Sequence, residues 1–95
     1  MFIVLLRFSA NRARAAEFME SHKQWIRRGV DDGVFLLAGS LQPGLGGAIV
    51  ARDSSLAALQ SRVHLDPFVA EDVVSAEILE IAPSVVDERL KFLLG

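Results

Sequence analysis

The chain has 95 residues, with 10 Lys and Arg against 12 Asp and Glu, a formal charge of −2 and an apolar share of 52%. That length holds one domain. The richness in Leu, Val, Ile and Ala excludes a disordered chain. The faintly acidic balance, without a basic run, speaks against a nucleic-acid partner. The lack of any cysteine excludes disulfides, thiol catalysis and thiolate metal sites.

The opening run Met1 to Leu6 is apolar but short, and Arg7 follows it. It is neither a signal peptide nor a membrane span, which takes ~20 apolar residues. A cytoplasmic protein is the expectation, with no membrane partner. Phe2 to Phe8 reads instead as a buried strand. Ser9 or Asn11 is a candidate N-cap for the next element. From Arg12 to Val30 the pattern is helical. Ala15, Phe18, Met19, His22, Ile26, Gly29 and Val30 form an apolar stripe, with the charged residues, Lys23 among them, on the other faces. Gly33 suits the left-handed conformation that ends a helix.

Val34 to Leu41 is a second strand, and Gln42 to Gly47 is a turn-rich connection. Ala48 to Arg52 is a third strand, paired with the second as a hairpin. Capping residues at 53–55 open a second helix, carried by Leu56, Leu59 and Val63 to about His64. Pro67 bars its continuation. Val73 to Ala82 is a fourth strand, and Ser84 to Leu94 reads as an added amphipathic helix.

The order β-α-β-β-α-β predicts an α+β, ferredoxin-like domain. It has one four-stranded antiparallel sheet, two helices on one face and a C-terminal helical extension. The core is 2–83 and the tail 84–95. The second and fourth strands look apolar on both faces, so the bare face must pack on something. A second subunit satisfies it, making a homodimer or higher homo-oligomer.

Three places could carry chemistry. His22 sits in the first helix's stripe where a Leu is expected. It is either a core histidine satisfied by a backbone carbonyl or a functional imidazole. Asp66, between Leu65 and the Pro67-Phe68 pair, is either a turn or cap residue or that imidazole's partner. Ser40, after Gly39, either ends a strand or offers a hydroxyl to a ligand. His64 lies off the buried stripe and is read as solvent-facing. Gly44 to Gly47 lacks the lysine and helix of a phosphate loop. Two histidines of unlike setting make no metal site, so neither a metal nor another cofactor is expected.

Four features in this order resemble the YciI-like (YCII-related) family over about residues 2–83. They are the strand FIVLLRF, the histidine His22, the strand segment LLAGS and the Asp66-Pro67-Phe68 turn. The resemblance implies a ferredoxin-like fold that dimerises through its sheets, the dimeric α+β barrel. It also implies a fold like that of muconolactone isomerases, and one related protein eliminates HCl from a chlorinated aromatic. It pairs His22 with Asp66 in a cleft. Ser40 stands where the family usually has proline, and the residues after Pro83 extend beyond its usual end.

Together these readings predict a small cofactor-free enzyme. His22 would be a general acid/base and Asp66 its partner, acting by isomerisation, elimination or hydrolysis on a small organic or aromatic substrate. Arg7, Ser40 and Phe68 are the candidate substrate-binding residues. The alternative is a non-catalytic dimeric module that uses the same cleft for a small molecule or a protein.

Overall fold

The structure is a computed structural model that describes residues 1–94; Gly95, the last residue of the predicted tail, lies outside the described residues. Four strands, β1 (Phe2–Phe8), β2 (Phe35–Leu41), β3 (Gly46–Ala51) and β4 (Val74–Glu80), make one sheet in the order β2-β3-β1-β4. All its pairings are antiparallel. Helix α1 (Ala15–Asp31) joins β1 to β2, and α2 (Leu56–His64) with the single-turn α3 (Pro67–Ala70) joins β3 to β4. This is the α+β, ferredoxin-like arrangement that the element order predicts.

The sheet register separates two faces. Val4 stands opposite Ile49 and Ile78, and Phe2 opposite Ala51. With Leu6 and Phe35, their side chains meet Trp25, Leu59, Val63 and Phe68 in the buried core. The alternate positions Ile3, Leu5, Leu37, Val50 and Leu79 share the other face. Leu37 there is 58% exposed. Alternation along a strand is the whole cause of this division.

Helix α1 begins later and faces differently than its sequence pattern predicts. A short 3₁₀ turn covers Arg12–Arg14, and neither Ser9 nor Asn11 caps the helix with its side chain. Asn11 instead donates from Nδ2 to the Glu71 carbonyl at 2.8 Å, tying the helix entry to the far loop. Met19 and Val30, placed in the predicted stripe, are exposed, while Trp25, left out of it, is buried. At 100° per residue Phe18, His22, Trp25 and Gly29 fall within about 60° of one another. Trp25 can occupy the centre of that stripe because its one polar atom is satisfied: Nε1 donates to the Arg62 carbonyl at 2.9 Å. Its ring meets Phe35 edge-on at 5.0 Å. Gly29 makes room for the same Phe35, since a Cβ there would overlap its ring.

The end of α2 is a second revision. Leu56 is exposed, and Leu59 and Val63 carry the buried contact. Ser55 caps the helix by accepting from the Ala58 amide at 3.0 Å. The helix stops at His64, and Pro67 then starts α3 rather than merely ending α2, as proline at the first helical position does. The tail is the third. In place of an α-helix over Ser84 to Leu94 there is a 3₁₀ helix over Glu88–Leu94 with no buried residue. Arg52 lies over the Phe92 ring at 5.5 Å. Leu90, Phe92 and Leu94 keep much of their surface in solvent, so tertiary burial does not supply what a short helix needs to persist in α form.

Candidate functional site: an imidazole clamped at the edge of a cleft

The site begins with Asp66, which is fully buried. Its place is fixed by local chemistry. Asp66 is the N-cap of α3, with an extended backbone and Oδ1 accepting the Phe68 amide at 3.0 Å. The same oxygen lies 2.7 Å from Nδ1 of His22, 44 positions earlier in the chain. Oδ2 has no hydrogen-bond partner among the described residues. The cap and the imidazole partner, alternatives in the sequence, are thus one and the same carboxylate.

Two ties bring the helices into the register this contact needs. The Trp25 bond to the Arg62 carbonyl fixes the middle of α1 on the last turn of α2. An Arg62–Asp32 ion pair at 3.0 Å fixes its end. Asp66 follows Arg62 by one helical turn, so it arrives beside His22.

The imidazole is held on its faces as well. The Phe68 ring stacks on it at 3.9 Å between centroids and 6° between planes, and Trp25 lies 5.9 Å away at 27°. The His22 side chain keeps 13% of its surface. With Nδ1 engaged by Asp66, the ring nitrogen left free of protein partners among the described residues is Nε2. A carboxylate on one nitrogen of a histidine selects the proton position on the other, which is how such rings are oriented for proton transfer.

His22 and Phe68 line a cavity of about 380 Å³ between α1 and the β2–β3 side of the sheet. Its floor exists because the strands there carry small residues. Ser40 stands opposite Gly47, and Ala38 opposite Ile49. Leu6, Phe8 and Ile26 add apolar walls, and Met19 and Lys23 line it from α1. Gly46 is at φ +135°, where a side chain would run into the Leu6 carbonyl, so the strand can pass this close only with glycine.

The candidate residues divide accordingly. His22, Ser40 and Phe68 line the cleft and Asp66 stands directly behind His22. Arg7 does not join them. It lies on the other face of the sheet, 2.8 Å from Glu77 in an exposed ion pair. The cause is the strand's period of two, which turns Arg7 away from the helix side where Leu6 points. His64 is exposed and lines a smaller groove with Gln60 and Ala76. Two site residues escaped the sequence reading. Trp25 was legible as the residue three after His22 and four before Gly29. Lys23 was assigned to a solvent face, although its position four residues after Met19 puts both at the edge of the stripe. Among the described residues no group of three or more His, Cys, Asp or Glu is arranged to hold a metal ion, and no helix is long and apolar enough to cross a membrane.

No family model matches the sequence, and no curated protein sequence matches it. Among solved structures, the chain is similar to 5-chloro-2-hydroxyhydroquinone dehydrochlorinase (TftG) from Burkholderia phenoliruptrix AC1100, in a complex with 2,5-dihydroxybenzoquinone. The TM-score is 0.69 at 12% identity, covering 85% of this chain and 93% of that one. At that identity the likeness shows the fold: an α+β domain of the dimeric α+β barrel superfamily.

Proposed function

We propose that this chain is a small YciI-like enzyme that moves protons on a single-ring organic substrate by side-chain chemistry, with no cofactor. The observation that carries the reading is the clamped imidazole. Asp66 holds Nδ1, Phe68 holds the ring face, and the remaining nitrogen belongs to a largely apolar cleft of about 380 Å³. Pockets with few polar groups set among apolar walls are the usual form of small-molecule sites.

His22 is the general acid/base in this reading, and Asp66 is a positioning residue that stabilises the imidazolium formed when Nε2 takes a proton. Elimination is the reaction best matched to such a pair. Nε2 accepts a proton from a substrate hydroxyl or carbon. The electron pair left behind forms the new double bond, and a halide departs with the pair from its own bond. The similar dehydrochlorinase supports a chlorinated hydroquinone as the first substrate to try. Isomerisation and hydrolysis remain within reach of the same groups. The protein works as a homodimer in this reading, with its open sheet face covered by a second copy.

The test is chloride release from chlorinated hydroxyhydroquinones by wild type and by His22→Gln, whose amide can still donate to Asp66. Loss of His22 should slow turnover by roughly 10²–10⁴-fold, the usual contribution of a general acid/base. Equal rates in a folded variant overturn the assignment. A second reading is a non-catalytic binding module, which the exposed position of Met19 on the cleft favours. It predicts ligand binding without turnover, unchanged by His22→Gln.

A further inference from the structure

Lys23 has a place in this cleft that the acid/base reading does not use. Of the residues lining the cavity, Lys23 is the one with a permanent positive charge, and no Asp or Glu lines it. Other cations of the chain are spoken for. Arg7 pairs with Glu77, Arg14 with Glu17, Arg62 with Asp32, Arg89 with Asp87 and Lys91 with Glu88. Arg12 and Arg52 lie over the Phe8 and Phe92 rings. Lys23 has no such ion-pair partner among the described residues. Across the cleft, the Ser40 hydroxyl is likewise without a hydrogen-bond partner among them, on the strand position facing Gly47.

The buried negative charge of the region, Asp66, does not neutralise Lys23. It stands behind the His22 ring, in contact with Nδ1 and with the Phe68 amide. The cleft therefore presents an ammonium and a hydroxyl, with an imidazole between apolar walls. A neutral ring would fill the apolar part and leave the ammonium with water alone. An anionic oxygen on the ring engages all of it.

We propose that Lys23 is a specificity-determining residue that selects single-ring substrates carrying an ionised oxygen, a carboxylate or phenolate, with Ser40 as the opposing hydrogen-bond donor. This rests on the cleft being the substrate site of the proposed enzyme. The charge pair orients the ring so that its reacting atom falls to His22. An ammonium acts as a point charge and not as a planar fork, so arginine at this position should keep the preference for anions.

Binding tests this apart from turnover. The probes are ring pairs that differ in charge alone: benzoate with benzamide, salicylate with salicylamide, and 2,5-dihydroxybenzoate with its amide. Wild type should bind the anion of each pair roughly fivefold tighter, the size of a partly exposed ion pair. Lys23→Met keeps the apolar stem and should erase the difference. Lys23→Arg should preserve it, and added salt should shrink it. Equal binding within the pairs, a preference that survives Lys23→Met, or no binding of either member overturns the inference. Preference for anions without turnover of any ring substrate leaves the inference standing and removes the enzyme reading. Turnover of chlorinated hydroquinones with no effect of Lys23→Met does the reverse.

Discussion

The two faces of the sheet are built from the same residue types and have opposite fates. On one face Phe2, Val4, Leu6, Ile49 and Phe35 are sealed beneath the helices. On the other, Ile3, Leu5, Leu37, Val50 and Leu79 stand in a row with the Arg7–Glu77 ion pair at their end. The covered face carries the core and the cleft, and every polar side chain near it has a defined task. The open face carries apolar area without a cover in the single chain. Composition alone does not distinguish the two; the position of α1 and α2 does.

The largest effect should come from the covered face. Trp25→Ala removes the ring that fills the space under α1 and leaves the Arg62 carbonyl without its donor. It should cost about 3–5 kcal/mol in chemical denaturation. A loss under about 1 kcal/mol would mean that α1 is not seated as described.

His22→Leu should cost nearly as much, on the order of 3 kcal/mol. Leucine suits the stripe by size, but it leaves a carboxylate of zero exposure with one partner fewer. In Asp66→Asn the amide oxygen can keep both the cap and the His22 contact, so the fold should lose about 1 kcal/mol or less. Turnover in Asp66→Asn should fall by less than in His22→Gln. A double-mutant cycle of the two positions measures the coupling directly. Additive costs would contradict the pairing.

On the open face a charge should cost the fold little and the assembly much. Leu37→Lys is expected to leave the unfolding free energy of the single chain within about 0.5 kcal/mol. In sedimentation it should weaken self-association by at least roughly tenfold, a lysine being desolvated at the interface. If the wild type sediments as a monomer, the open face has another purpose.

The smallest effect belongs to the tail. Arg89 holds the Asp87 carboxyl below its ordinary range, by a guanidinium hydrogen bond and by its backbone amide. A folded-state value below the unfolded one adds stability above the unfolded value, and that stability fades as pH falls through the folded value. Both groups stand largely in solvent, so the Asp87→Asn denaturation midpoint should match wild type at neutral pH and in mild acid.

The sequence makes the fold legible because each strand and helix has its own period, and turn residues at 33, 43–44 and 83 separate them. His22 was legible as a polar residue in an apolar stripe. Asp66 was legible as a polar residue among apolar neighbours beside Pro67. The distance between them was not, since it depends on the Trp25–Arg62 bond, which crosses two helices. Arg7 misled because the end of a strand looks alike from either face until the register is known. The tail misled because amphipathic spacing defines a helix face without supplying a surface to bury it.

The central claim is that Asp66 fixes the His22 ring with Nε2 toward the cleft. Long-range ¹H–¹⁵N spectra of the ring at alkaline pH, with and without 2,5-dihydroxybenzoate, test it most directly. The account predicts a proton on Nδ1, an unprotonated Nε2, and displacement of the Nε2 signal by the ligand. In Asp66→Ala the single tautomer should give way to a mixture. A proton on Nε2 in the wild type, or a ring signal indifferent to both ligand and Asp66, would contradict it.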